Sequence, residues 1–104
     1  MVVYDKAAWH IDGMLEPEAV VDYFRRVFKW LADNEMLSTE GRETYDSGID
    51  DSISLHDRLV TKEAKEFLDS KYDTYLENHF EDDADCDELN VLYQDFLRAK
   101  GAFR

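Results

Sequence analysis

The stretch from Pro17 to Leu37 sets the strongest limit on what this chain can fold into. It reads as one long helix. At roughly 100° per residue, Val20, Val21, Tyr23, Phe24, Val27, Phe28, Trp30, Leu31 and Ala32 cover more than half the circumference. A helix packed on one side needs a narrower stripe. This one has to be covered from two or three sides, so other helices must lie around it. Pro17 suits the first helical position, where its missing N–H would be unpaired anyway. Glu16 and Glu18 sit near the positive end of the dipole, and Arg25, Arg26 and Lys29 lie toward the negative end. Asp22 stands three and four residues before Arg25 and Arg26, within pairing reach. The polar strip Asp22, Arg25, Arg26, Lys29 and Asp33 is expected to face water. Asn34 and the run Ser38-Thr39-Glu40-Gly41 mark the exit.

Two further stripes can cover this helix. Ala64, Phe67, Leu68, Tyr72, Tyr75 and Leu76 recur at helical spacing over roughly 62 to 79, with Thr61 as a cap. Leu89, Leu92, Tyr93, Phe96 and Leu97 do the same over roughly 86 to 100. Asp85 and Glu88 have capping-box spacing at its start, and Gly101 is placed to end it. A short helix is expected over 39 to 48, capped by Ser38 or Thr39 and stopped by Gly48, although Gly41 inside it weakens that expectation. Ile53 and Leu55 alternate with polar neighbours and predict a short extended segment. Before the first long helix, Val2-Val3-Tyr4 reads as a brief extended piece and Trp9 to Gly13 as a loop. Together, residues 1 to 16 form a flap whose Trp9 and Ile11 close the remaining side of the helix. The expected fold is mainly α: one domain over residues 1 to 104, a compact bundle of three long helices, a short helix and an N-terminal flap.

Charge narrows the function classes. The chain carries 25 acidic against 12 basic residues, a net charge of -13. Such a field repels phosphate backbones and anionic membranes, so neither nucleic acid nor membrane is expected as a partner. A basic protein fits. With 44% apolar residues and 13% aromatic ones, the chain has enough large side chains for a core. No segment approaches the ~20 apolar residues of a membrane span, and the N-terminus lacks the basic-then-apolar pattern of a secretory signal, so a cytoplasmic setting is expected.

Candidate chemistry is sparse. Cys86 is the single cysteine, with no thiol partner for a disulfide or a structural zinc. Asp83, Asp85 and Asp87 have the spacing of the first three ligands of a calcium loop, but Glu88 stands where glycine is needed and Gln94 where a bidentate glutamate belongs. His10, His56 and His79 show no His-x-x-x-His pair. His10 with Asp12, and His56 with Asp57, are the nearest approaches to a metal or acid–base site. No nucleophile elbow, Walker loop or Gly-x-Gly-x-x-Gly is present. No cofactor and no catalytic residue are expected. What local stability does not explain is a row of like charges, Asp69, Asp73 and Glu77, four residues apart near the negative end of a helix dipole. With Glu66 beside them and Asp82 and Asp83 beyond, they form the expected surface for a basic partner.

The N-terminal residues carry a resemblance. Tyr4-Asp5-Lys6-Ala7-Ala8-Trp9-His10, followed by Gly13, resembles the opening Tyr-Asp-x-Ala-x-Trp-His of a family of small uncharacterised bacterial proteins. Val27-Phe28-Lys29-Trp30-Leu31 and Tyr72-Asp73-Thr74-Tyr75-Leu76-Glu77-Asn78 are similar to later patterns of that family. The likeness covers about the first 37 residues and about residues 60 to 83. Lys6 stands where the family has an acid, and the aromatic–proline pair after the glycines is missing. The resemblance implies no activity and no catalytic residue. Some small acidic bacterial proteins of this size are immunity proteins, and it implies that class.

Three functional expectations follow. The first is a non-enzymatic, acidic, cytoplasmic protein-binding domain, an immunity or antitoxin-like inhibitor of a basic partner, with Glu66, Asp69, Asp73, Glu77, Asp82 and Asp83 as the docking residues. The second is a small-ligand-binding protein or enzyme with a site around Trp9 and His10. The third is a structural homodimer using surplus aromatic surface such as Tyr23 or Trp30.

Overall fold

The first long helix, α2 (Pro17–Asp33), is packed on several sides, as the width of its apolar stripe requires. The computed structural model describes residues 2–12, 16–79 and 86–99. In chain order it shows β1 (Val3–Lys6), α1 (Ala7–Asp12), α2 (Pro17–Asp33), α3 (Thr39–Ser47), β2 (Ser54–His56), a single 3-10 turn (Asp57–Leu59), α4 (Lys62–His79) and α5 (Cys86–Ala99). Val20, Tyr23, Phe24, Val27, Phe28, Trp30 and Leu31 of α2 are all buried. α1, α3 and α5 pack on this helix, and α4 reaches it through rings: Trp30 lies 5.8 Å from Phe67, and Tyr23 6.5 Å from Tyr75. Trp30 also donates its indole N–H to Asn90 Oδ1 at 2.7 Å, which ties α2 to α5. The expected polar strip of α2 is exposed at every position. Arg25 and Lys29 pair there with Asp22 at 3.3 Å and Asp33 at 2.8 Å. The architecture is mainly α with a small two-stranded sheet.

Helix α2 stops at Asp33, four residues before the expected end at Leu37. The stop is a backbone device rather than a side-chain one. Asn34 is the cap, and Glu35 adopts φ 58°. The N–H of Met36 then donates to Leu31 C=O at 2.8 Å and that of Glu35 to Ala32 C=O at 3.1 Å. This is the Schellman arrangement, with a glutamate at the left-handed position that glycine usually takes. It buries Met36 and Leu37 without extending the helix. Leu37 instead bridges to Val60.

Helix α3 matches the expectation and explains the glycine that weakened it. Ser38 Oγ accepts from Gly41 N–H at 3.1 Å, and Gly48, at φ 100°, ends the helix. Gly41 packs directly on the 3-10 turn. A Cβ there would collide with the carbonyl oxygen of Leu59 and meet Leu37 Cδ2 at 3.2 Å. The intrinsic cost of a mid-helix glycine is offset by an approach that no other residue permits.

The N-terminal flap needs correction. Its extended piece is a strand, β1, which pairs antiparallel with β2: Lys6 lies opposite Ser54 and Asp5 opposite Leu55. Trp9 to Asp12 is not a loop but part of helix α1. It is His10, not Trp9, that closes the exposed side of α2. The His10 ring sits 5.2 Å from Tyr23 and 5.8 Å from Phe24, whereas Trp9 is 47% exposed with Lys6 Nζ 5.8 Å from its ring centre. Ile11 is half-buried against the core as expected. Helix α4 has its expected start, with Thr61 Oγ1 accepting from Ala64 N–H at 3.3 Å. Its stripe from Ala64 to Tyr75 is buried, as are Leu89, Leu92 and Phe96 of α5. Gly101 and Asp85, named as stop and cap of the last helix, lie outside the described residues, as do the first two carboxylates of the calcium-loop spacing.

Candidate functional site

Two places in the fold gather polar side chains from several elements. The first is buried. A register irregularity in β1 between Val3 and Asp5 re-aims its side chains, and both Tyr4 and Asp5 end up inside. Asp5 is 1% exposed and His10 is 2% exposed. Asp5 Oδ1 accepts from the Lys6 backbone N–H at 2.9 Å and from His10 Nε2 at 2.7 Å. Its Oδ2 accepts from the Tyr72 hydroxyl at 3.0 Å. That commits the Tyr72 proton, so Tyr23 donates in turn to the Tyr72 oxygen at 2.9 Å. No buried side-chain nitrogen or oxygen among the described residues lacks a hydrogen-bond partner. Burial, followed by the Asp5 charge, pushes the Tyr23 phenol above its ordinary range. Burial, followed by Tyr23 and Asp5, does the same for Tyr72. The network joins β1, α1, α2 and α4 at one point.

This network holds the reacting groups the Trp9/His10 reading needs, but in the wrong place. His10 meets a carboxylate within hydrogen-bond reach, yet the pair is covered by Tyr23, Phe24 and Tyr72, and neither residue lines any of the three grooves described below. Trp9 points the other way. The two residues named together on sequence grounds are thus separated by the helix they share. Asp5, absent from that reading, is the hub.

The second place is open to solvent. A groove of about 570 Å³ runs between α3 and the loop-plus-strand that follows it. Glu40, Glu43, Thr44 and Ser47 line one wall. Their spacing of three, one and three residues puts them on one face of α3. Asp50, Ser52, Ser54 and His56 contribute from the other side, and Ile53 and Leu59, both buried, supply apolar surface. No lysine or arginine is among the lining residues. Ser52 donates to Asp50 Oδ1 through its hydroxyl at 2.6 Å and its backbone N–H at 2.9 Å, which holds the Asp50 carboxyl below its ordinary range. His56 Nδ1 accepts from Arg58 N–H at 3.3 Å, capping the 3-10 turn. The neutral ring therefore carries its proton on Nε2. Near the Gly48–Asp51 loop two further grooves open, one of about 320 Å³ lined by Arg25, Arg26, Lys29, Tyr45, Gly48 and Ile49, the other of about 620 Å³ lined by residues of α2 and Ile49 to Asp51.

The acidic row expected on α4 is placed differently from this groove. Glu66, Asp69 and Asp73 are exposed on that helix, and none of them lines the groove. The Glu77 side chain, Asp82 and Asp83 lie outside the described residues. Asp69 has a structural role whose long-range half, the contact with Tyr4, sequence spacing concealed. Its Oδ1 accepts from the Tyr4 hydroxyl at 2.6 Å and its Oδ2 from Lys65 Nζ at 2.9 Å. Those bonds, Tyr4 first, hold its carboxyl below the ordinary range. Part of the unexplained like-charge row is therefore explained by contacts with β1. Tyr23 and Trp30, offered as surplus aromatic surface for a dimer, are both buried and hydrogen-bonded inside the protein. Among the described residues no group of three His, Cys, Asp or Glu side chains is arranged to hold a metal, and no helix is long and apolar enough to cross a membrane.

The groove residues Glu40, Glu43 and Asp50 were not singled out by sequence, and His56 was named only beside Asp57. The signal was present, since 40, 43, 44 and 47 form a polar face at helical spacing. What was missing is the partner wall, which only the return of the chain through β2 supplies. Comparison of the chain with family models, curated proteins and solved structures gives no match.

Proposed function

We propose that the protein is a non-enzymatic binding domain for a basic protein, and that it engages this partner through the groove between α3 and β2. The observation that carries the reading is the lining of that groove: three carboxylates, four hydroxyls, an apolar strip at Ile53 and Leu59, and no lysine or arginine. A lysine or arginine side chain has the matching form, an apolar stem with a cationic head. The net charge of -13 adds long-range steering toward a basic surface. The immunity or antitoxin-like class, and with it a bacterial cytoplasmic setting, rests on the resemblance at Tyr4 to His10. In that class the acidic groove would occlude cationic residues of a toxin.

The test separates the groove from the α4 face. Glu40→Lys with Glu43→Lys, and Glu66→Lys with Asp73→Lys, raise the net charge equally. An exposed ion pair contributes roughly 0.2–1 kcal/mol, and reversal replaces attraction by repulsion. Binding of a labelled basic peptide is expected to weaken about tenfold in the groove variant and less than threefold in the α4 variant. Equal losses in the two variants would show that only net charge matters and would remove the groove reading. The inhibitor class is tested by co-expression with the basic product of an adjacent gene. Growth should be rescued by the wild-type chain and not by the groove variant.

A further inference from the structure

The sheet has two strands, so among the described residues β2 has one edge paired with β1 and one edge without a strand. Which backbone groups face that second edge follows from the ladder. Ile53 C=O accepts from Ala7 N–H at 3.0 Å, and Asp57 N–H donates to Val2 C=O at 3.0 Å. Residues 53, 55 and 57 therefore turn their backbone groups toward β1. By the alternation of a strand, Ser54 and His56 turn theirs away from it; Ser54 offers its N–H and C=O, and His56, whose C=O begins the 3-10 turn, offers its N–H. Ser54 and His56 are also lining residues of the acidic groove. The groove thus has a strand edge along one side and the carboxylates of α3 along the other. Three residues of strand run about 10 Å, enough for the backbone of a short extended segment to pair with both.

We infer that the groove takes its partner by strand addition: an extended, basic segment of a partner protein pairs with the free edge of β2 and sets its cationic side chains among Glu40, Glu43 and Asp50. Backbone pairing supplies affinity, and the charged wall selects which segments enter. An exposed strand edge is usually blunted by lysine, proline or a cover. Here the edge carries serine and histidine, and the charge beside it is acidic, so it repels another copy of this acidic chain while admitting a basic one. The occupant is fixed by charge complementarity. The inference rests on the groove reading, from which it can be separated experimentally.

The probe is a capped seven-residue peptide alternating lysine and valine, compared with the same peptide N-methylated at its three central backbone nitrogens. Methylation leaves every charge in place and removes the donors that a strand needs. Strand addition predicts at least a tenfold loss of affinity on methylation, and slowed amide exchange at Ser54 and His56 when the unmethylated peptide is bound. If both peptides bind alike, or if Ser54 and His56 gain no protection, strand addition is wrong and the groove reading stands. If the unmethylated peptide binds the wild-type chain no better than the Glu40→Lys, Glu43→Lys variant, the groove reading falls and strand addition falls with it.

Discussion

Replacing Gly41 by alanine tests how α3 is fixed, and with it one wall of the groove. Two effects oppose each other. Alanine in a helix interior is favoured over glycine by roughly 0.5–1 kcal/mol. Against this, a Cβ at position 41 meets the Leu59 carbonyl, backbone that cannot swing aside as a side chain can. Relief requires α3 to lift from the 3-10 turn. That motion strains two bonds, Ser38 N–H to Leu59 C=O at 3.0 Å and Ser38 Oγ–H to Arg58 C=O at 2.7 Å. Each contributes about 0.5–1.5 kcal/mol, and overpacking at such a contact costs about 1–3 kcal/mol. The net expectation is a loss of about 1–3 kcal/mol, opposite in sign to the propensity effect. Urea unfolding followed by far-UV circular dichroism reads it as a lower midpoint with an unchanged slope. A variant as stable as wild type, or more stable, would refute the close-approach account. Peptide binding should weaken in the same variant, because Glu40 and Glu43 ride on α3.

Three further outcomes follow from single residues. Glu35→Gly should stabilise by about 0.5–1 kcal/mol, because a β-carbon at φ 58° costs roughly 1–2 kcal/mol and the more flexible unfolded chain returns part of that; an unchanged or lower unfolding midpoint would count against a strained Schellman end. Asp5→Ala should cost about 3–5 kcal/mol, since His10 Nε2 and the Tyr72 hydroxyl are left buried without their acceptor; a loss under about 1 kcal/mol would mean that water or rearrangement replaces the carboxylate. At alkaline pH the buried phenols set the limit. Tyr23 and Tyr72 hold their protons in the folded state above the ordinary tyrosine range, so the unfolded chain ionises first. Their contribution is complete below about pH 10 and falls as pH rises, by up to about 1.4 kcal/mol per pH unit for each. Tyrosinate absorbance from these two residues should appear only together with loss of circular dichroism. Its appearance in an intact fold would contradict their burial.

The asymmetry between Trp9 and His10 shows how far a motif can be read. Side by side in sequence, they suggested a joint site. In a helix, neighbours point about 100° apart, so they can differ in burial, and here His10 is buried while Trp9 is 47% exposed. Which of them went inside was decided by Asp5, a strand residue that offers the imidazole an acceptor and thereby removes the cost of burying it. The same lesson holds for Asp69. Its place in a row of like charges is visible in the sequence, while the Tyr4 hydroxyl that stabilises it comes from 65 residues away.

By itself the sequence determined the long helices, a cap at Ser38 or Thr39 and one at Thr61, the stop at Gly48 and the demand that α2 be covered on several sides. These depend on spacing, propensity and local hydrogen bonds, all of which act within a few residues. Tertiary structure alone decided the Asp5–His10–Tyr72–Tyr23 network, the need for glycine at position 41 and the groove between α3 and β2. Each requires two segments far apart in the chain to meet at a defined distance. No periodicity encodes that distance. It is set by how side chains of fixed volume fill one shared core.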